Sequence, residues 1–392
     1  MKNVCDVAVV GLGAMGSAAA YQLAKRGARV IAIDRFDPPH QLGSSGGDTR
    51  ITRQAIGEGE TYTPLALRSY ELWREMEALT GQDLLTVTGG LMMTSYSTGS
   101  AMHGKADFLG ETIRAARKYS VGHEILGTAQ IRQKFPQFNL FGDERGYYEP
   151  MAGFLRPENC IRAQIGLARR MGTDTRINHK VIAIKKEGSG MLVIAEYAGA
   201  RSYIYSDKVI ISAGAWVNDF LRSRFPGVFK ILRQCLFWFD INGSIKPYLI
   251  GRFPIFIWVN SNNFIYGFPA IDGLNGGIKV ASEETNIIDP DNVNRDVTDA
   301  EVESVYAEHI VNRLPGLSPR CIRSKVCMYT VTPDSGFVID FDPENPNIIM
   351  ASPCSGHGFK HSAAIGESLA QLALDGRSKI DIGPFSIKRF LT

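Results

Sequence analysis

Three glycines near the N-terminus, Gly11, Gly13 and Gly16, constrain this chain more than any other feature. They follow residues 4–10, apolar except for Asp6, which read as a buried strand. A helical pattern then runs through Ala18, Ala19, Tyr21, Leu23 and Ala24, with Gly27 as its stop. Residues 29–34 read as a second strand ending in the carboxylate of Asp34. This is a β-α-β unit, and in that context G-x-G-x-x-G is a dinucleotide fingerprint. Gly11 permits the tight turn, Gly13 lets backbone approach a pyrophosphate, and Gly16 lets helix and strand pack closely. The helix N-terminus offers N–H groups to phosphates, and Asp34 can accept from ribose hydroxyls. The fingerprint alone does not separate NAD from FAD.

The chain has 392 residues, which exceeds one ordinary core and predicts two domains, one threaded through the other. A net charge of +3 with no Lys/Arg run gives no electrostatic footprint for nucleic acid. No stretch approaches the roughly 18 apolar residues that span a bilayer. Six scattered cysteines without a C-x-x-C pair argue against a disulfide framework or metal site, and suit a reducing compartment. The expectation is a cytoplasmic protein with no nucleic-acid, membrane or metal partner.

Helices are expected over 64–79, 106–119, 129–134, 159–171, 302–313 and 362–374. Strands are expected over 84–94 with a break at Gly89-Gly90, and over 181–184, 191–197, 209–212, 326–340 and 348–351. Residues 232–280 are strand-rich and aromatic, which suits a sheet forming one wall of a pocket.

Several further segments resemble the monomeric sarcosine oxidase and N-methyltryptophan oxidase family. Gly47-Asp48-Thr49-Arg50-Ile51-Thr52-Arg53 resembles its G-D-T-R-x-x-R loop, with Gly57-Glu58-Gly59 at the family's spacing. Cys327-Met328-Tyr329-Thr330 resembles its cysteine segment, and Ser355-Gly356-His357-Gly358-Phe359-Lys360 its C-terminal flavin loop. The likeness implies an α/β fold: a Rossmann-like FAD-binding domain of the glutathione-reductase type, interleaved with a mixed-sheet α+β substrate domain. Segments 1–90, 146–222 and 322–392 would bind FAD, and 91–145 with 223–321 would hold substrate.

The resemblance implies FAD joined covalently through Cys327. Read without it, a cysteine in a strand is a small buried apolar residue. FAD contacts would come from Gly11, Gly13, Gly16, Asp34, Arg35, Ser44, Thr49, Arg50, Val181, Met328, Gly356, His357, Gly358, Phe359 and Lys360. Arg50 would lie by the flavin ring, and a cation there stabilises the anionic reduced form. Lys279 matches the family's oxygen-activating lysine. Arg53 and Lys360 match its carboxylate-binding pair, and Tyr266 and Tyr329 match pocket aromatics, though both tyrosines could be core residues. The implied reaction is oxidation of a secondary or N-methyl amino acid by O₂, giving H₂O₂, in a monomer. The alternative is a dehydrogenase that passes electrons to a quinone or electron-transfer protein.

The match fails at two places. Ser45 and Gly46 stand where the family has adjacent histidines, and Glu283 stands where it has a third. Pocket imidazoles lost and a carboxylate gained predict a substrate larger or more cationic than sarcosine, unless Glu283 points to solvent.

Overall fold

The computed structural model describes residues 3–391 except 98, 261 and 262. The outermost positions of the expected segments, 1, 2 and 392, lie outside the described residues.

β1 (Val4–Val10), α1 (Ala14–Lys25) and β2 (Val30–Ile33) form the expected unit. β1 lies between β2 and Ala200–Ile211, parallel to both, and Asp174–Arg176 extends the sheet beyond β2. Ile348–Ser352 runs parallel along the other edge of Ala200–Ile211, next to an antiparallel meander of Lys180–Glu187 and Gly190–Tyr197. Successive residues of a strand face opposite ways. Val7, Val9 and Ala32 therefore enter a core shared with helices α1, Pro157–Arg170 and Ser362–Asp375. Ala8, Val10, Ile31 and Ile33 enter a second core on the other face. A parallel sheet covered on both sides explains the continuous apolar runs.

A second eight-stranded sheet has the order Leu317–Val331, Lys230–Ile241, Ile278–Ala281, Asn263–Gly267, Ile255–Asn260, Gly90–Ser95, Glu144–Glu149, Glu124–Gly127. Its two longest strands pair antiparallel from Lys230 with Val331 to Ile241 with Leu317. A small third sheet, Arg50–Thr52, Gly153–Leu155 and Leu85–Val87, lies at the head of the expected loop.

The aromatic stretch divides by strand parity. Phe237, Phe239, Phe253, Phe256 and Trp258 are buried in the core, each contributing about 1.5–3 kcal/mol. Only the opposite-facing Ile257, Phe264 and Tyr266 line a pocket. The expected wall is thus a minority of the aromatics: alternation sends Phe237, Phe239, Phe256 and Trp258 to the large core, and Trp238 and Phe268 pack in smaller clusters.

Two of the expected elements differ most from expectation. The helix expected over 302–313 begins at Asp299, where Thr298 and Glu301 form a capping box, and ends at Val305 before a π-turn. The strand expected over 326–340 is two strands, Leu317–Val331 and Val338–Phe341, parted by a turn at Asp334 to Gly336. Residues 84–94 break at Gly89 as expected, giving Leu85–Val87 and Gly90–Ser95. Among the described residues no helix is long and apolar enough to cross a membrane.

Candidate active site

A cleft of about 1300 Å³ runs along the C-terminal ends of the parallel strands. Gly11 opens it with φ +93°, where an added Cβ would meet the Ser212 carbonyl. Gly16 does not line the cleft; an added Cβ there would meet the Gly11 carbonyl, so its role is close packing. No side chain caps α1, which leaves its first-turn N–H groups to a ligand. Asp34 lines the cleft, and its carboxylate accepts from the Leu12 amide at 2.6 Å and the Phe36 amide at 2.8 Å. It therefore also holds the glycine loop in shape.

Arg35, Ser44, Arg50, Val181, Gly356, Gly358 and Phe359 line the same cleft. Arg35 stacks over Trp216 at 4.6 Å and pairs with Asp291 at 3.0 Å. Its Nη1 and the Ser44 hydroxyl are buried without a hydrogen-bond partner among the described residues. Each orphan costs about 1–3 kcal/mol, which a polar ligand in the cleft would recover. These features fit a dinucleotide.

A smaller cavity of about 540 Å³ adjoins. The two share Arg50, Tyr329, Gly356 and Phe359, so any ring in the first meets any substrate in the second at these residues. Arg53, Glu58, His103, Tyr266, Glu283, His357 and Lys360 complete its polar lining. Arg53 is buried; it donates to Glu58 Oε2 and to the Ala55 carbonyl, both at 2.6 Å, while its Nε is buried without a partner among the described residues. Lys360 Nζ donates to the His357 carbonyl at 2.7 Å and lies 4.0 Å from Glu58. Burial pulls Lys360 down to about 8, against the pull of Glu58. Glu58 is driven up by burial, yet Arg53 and Lys360 hold it well below the carboxylate range. The Tyr266 and Tyr329 hydroxyls lie 3.4 Å apart.

The remaining expected residues sit behind these walls. Lys279 is buried, with Nζ donating to the Gly47 carbonyl at 2.7 Å and the Thr49 carbonyl at 3.0 Å. It lies over Phe268 at 4.9 Å and Trp238 at 5.3 Å. Burial first, then Arg50, pushes its amine far below the ordinary lysine value. Thr49 thus anchors Lys279 and lines neither cavity. Cys327 is buried against Leu236, Trp238 and Tyr329, with Cys354 beside it. Met328 points to the opposite face, among Ala215, Trp216 and Ile231, and lines neither cavity. Strand parity separates it from its neighbour.

Sequence reasoning missed His103. Its Nε2 lies 2.9 Å from Glu283 and its Nδ1 3.3 Å from Glu58. Met102 and Lys105 exchange two backbone bonds of 2.9 Å around His103 (φ +47°) and Gly104 (φ +74°). Positive φ at both central residues is the I′ hairpin pattern, and His tolerates that region better than most residues. The His103-Gly104 pair was the available signal. Sequence reading also noted Glu58 only as part of a spacing. Glu283 does not stand alone: its expected charge is taken up by this imidazole.

A dinucleotide cleft that opens onto a cation-lined pocket defines an oxidoreductase of small carboxylate-bearing substrates. Residues 6–372 match the family described as FAD dependent oxidoreductase, and the chain belongs to that family. The chain is 38% identical over 395 residues to a monomeric sarcosine oxidase of Streptomyces avermitilis, covering 99% of this chain and 98% of that one. It is 34% identical over 388 residues to an N-methyl-L-tryptophan oxidase of Yersinia pestis, covering 98% and 99%. Its fold matches NikD, an unusual amino acid oxidase essential for nikkomycin biosynthesis, with a TM-score of 0.80, 20% identity, and 98% and 97% coverage. FAD is accordingly the cofactor of the cleft.

Proposed function

We propose that the protein is a FAD-dependent oxidase of secondary or N-methyl amino acids larger than sarcosine, with O₂ as acceptor. The observation that carries this reading is the junction of the two cavities, with the Arg53–Lys360 pair just beyond it. Bound FAD supplies the two-electron acceptor and the route to O₂.

The chain's own groups do the rest. Arg53 Nε and Lys360 Nζ take the substrate carboxylate, which gives the orphaned Nε its missing partner. Tyr266 and Tyr329 flank the substrate where the cavities meet. The amine must react without its extra proton, and the surrounding cations lower its pKa. The C–H and N–H of the amine leave as two electrons and two protons. O₂ takes all of them to become H₂O₂, and water splits the imine into amine and aldehyde. Lys279, buried and tied to the loop that carries Arg50, supports O₂ rather than a quinone as acceptor.

We read Cys327 as the point of covalent attachment, and the two large sheets as an FAD-binding and a substrate-binding domain. Six free cysteines suit the cytoplasm, and the name of the sarcosine oxidase relatives suits a monomer. The test is the purified protein's absorption spectrum with H₂O₂ measured under air. Flavin bands that bleach with N-methyl amino acids and yield H₂O₂ without an added acceptor are expected. Bleaching that needs a quinone for reoxidation would favour the dehydrogenase.

A further inference from the structure

The His103 hairpin bears on which substrates the pocket accepts, and this inference rests on the functional reading above. The hairpin is well anchored. Ser100 donates to Asp107 at 3.1 Å, Phe108 N bonds to the Ser100 carbonyl at 3.0 Å, and Asp107 caps the helix Phe108–Lys118. Its tip places the His103 ring 5.7 Å from Phe264 and 5.2 Å from His357, with Glu58 and Glu283 on its two nitrogens. Glu283 reaches the cavity junction, since its Oε1 would lie 2.5 Å from a Cβ added to Gly356.

Beyond Arg50, which also faces the dinucleotide cleft, three cations face two carboxylates in this pocket. Arg53, Lys360 and His103 stand against Glu58 and Glu283. His103 holds its proton to about 9, because Glu283 and Glu58 outweigh the burial that pulls it down. His357 stays neutral, driven down to about 3 chiefly by burial. One positive charge is in excess, and the substrate carboxylate takes it up. Apart from Arg50, no charged side chain among the described lining residues then remains to balance a second charge on the substrate. The rest of the lining, Ile51, Met102, Ile257 and Phe264, is apolar.

We propose that His103 is a specificity-determining residue: by neutralising Glu283 it makes the pocket wall uncharged and selects secondary amino acids with one free carboxylate and an apolar remainder. This reverses the cationic preference that Glu283 alone would impose. Specificity here comes as much from penalising the wrong charge as from attracting the right one.

The test uses the flavin-loaded full chain and three substrates: N-methylleucine, N-methylaspartate and Nα-methyllysine. Wild type is expected to give its highest kcat/KM with N-methylleucine. His103→Gln uncovers Glu283, so the lysine-to-leucine ratio of kcat/KM should rise about tenfold, mainly through KM. Glu283→Gln leaves the imidazolium short of one partner, so the aspartate-to-leucine ratio should rise by a similar factor. Opposite shifts are a signature that mere loosening of the hairpin does not produce. Ratios that stay put, or move the same way in both variants, would overturn the inference, as would a wild type fastest with a charged substrate. If wild type oxidises none of the three, the functional reading itself fails and takes this inference with it. Oxidation of N-methylleucine with unmoved ratios overturns the inference alone.

Discussion

Lys279 and Arg50 share one acceptor: both donate to the Thr49 carbonyl, at 3.0 and 2.8 Å. Arg50 is held there by further bonds to Ser44 and Gly46, and its charge, after burial, is what pushes the Lys279 amine down. The same loop therefore fixes both groups beside the cavity junction. Lys279→Met should slow reoxidation of the reduced enzyme by O₂ by about 10²–10³, as for loss of one preorganised charge-stabilising group. Anaerobic reduction by substrate should change far less. Stopped-flow measurement of the two half-reactions separates them, and equal losses in both would remove Lys279 from the oxygen step.

Cys327 and Cys354 pack in one cluster, and only the first lies on the long strand opposite Gln234. Burial pushes the Cys327 thiol up, while Arg50 and Lys279 pull it back toward ionisation. The linkage proposed at Cys327 is open to a direct test. Wild type and Cys354→Ser should keep their flavin colour in an acid precipitate, whereas Cys327→Ser should release it to the supernatant. Free flavin from wild type would refute the linkage.

The β-α-β unit and the glycine loop were legible because their signals are local. Strand alternation, a turn glycine and a terminal Asp all fall within residues 4–34. Arg50, Arg53, Cys327 and Lys360 were legible only through motif resemblance, since nothing in periodicity brings residues so far apart into one place. For His103 only a weak turn signal, the His103-Gly104 pair, was legible, and not its place in the site. It lies in a polar loop between Ser95 and Asp107, and its partners Glu58 and Glu283 are 45 and 180 residues away. The split of the aromatic stretch between core and pocket also needed the sheet, because parity assigns faces only once strand ends are known. The missed N-terminus at Asp299 was a local signal, Thr298 with Glu301, that the apolar pattern starting at Val302 obscured.

Lys360 should set a limit on substrate binding at alkaline pH. Its amine is lowered to about 8, mainly by burial, so it is charged below that value and loses its charge above it. A carboxylate needs the charged form. Binding of methoxyacetate, which carries no titratable amine, should therefore weaken as pH rises through about 8, read from perturbation of the flavin spectrum. Lys360→Arg should flatten that limb. Lys360→Met should weaken binding about 10–100-fold at pH 7, the value of one charge-assisted bond of about 1.5–3 kcal/mol. A limb that survives in Lys360→Arg would assign it to another group.

His103 makes the fold itself sensitive to pH. Its folded value is about 9 against the ordinary 6.5, so the folded state binds the proton more tightly than the unfolded chain. The stabilisation is fully present below 6.5 and is lost as pH rises through about 9. Its upper size is roughly 3 kcal/mol, from 1.36 kcal/mol per unit. Lys360 runs the other way, because a depressed amine disfavours the folded state at low pH. Comparison with His103→Gln cancels that contribution. The melting temperature of flavin-loaded wild type should exceed that of His103→Gln by several degrees at pH 6.5, and the gap should close by pH 9.5. A gap that stays constant across that range would mean the Glu58–His103–Glu283 bridge holds no extra proton, and the charge balance assigned to the pocket would be wrong.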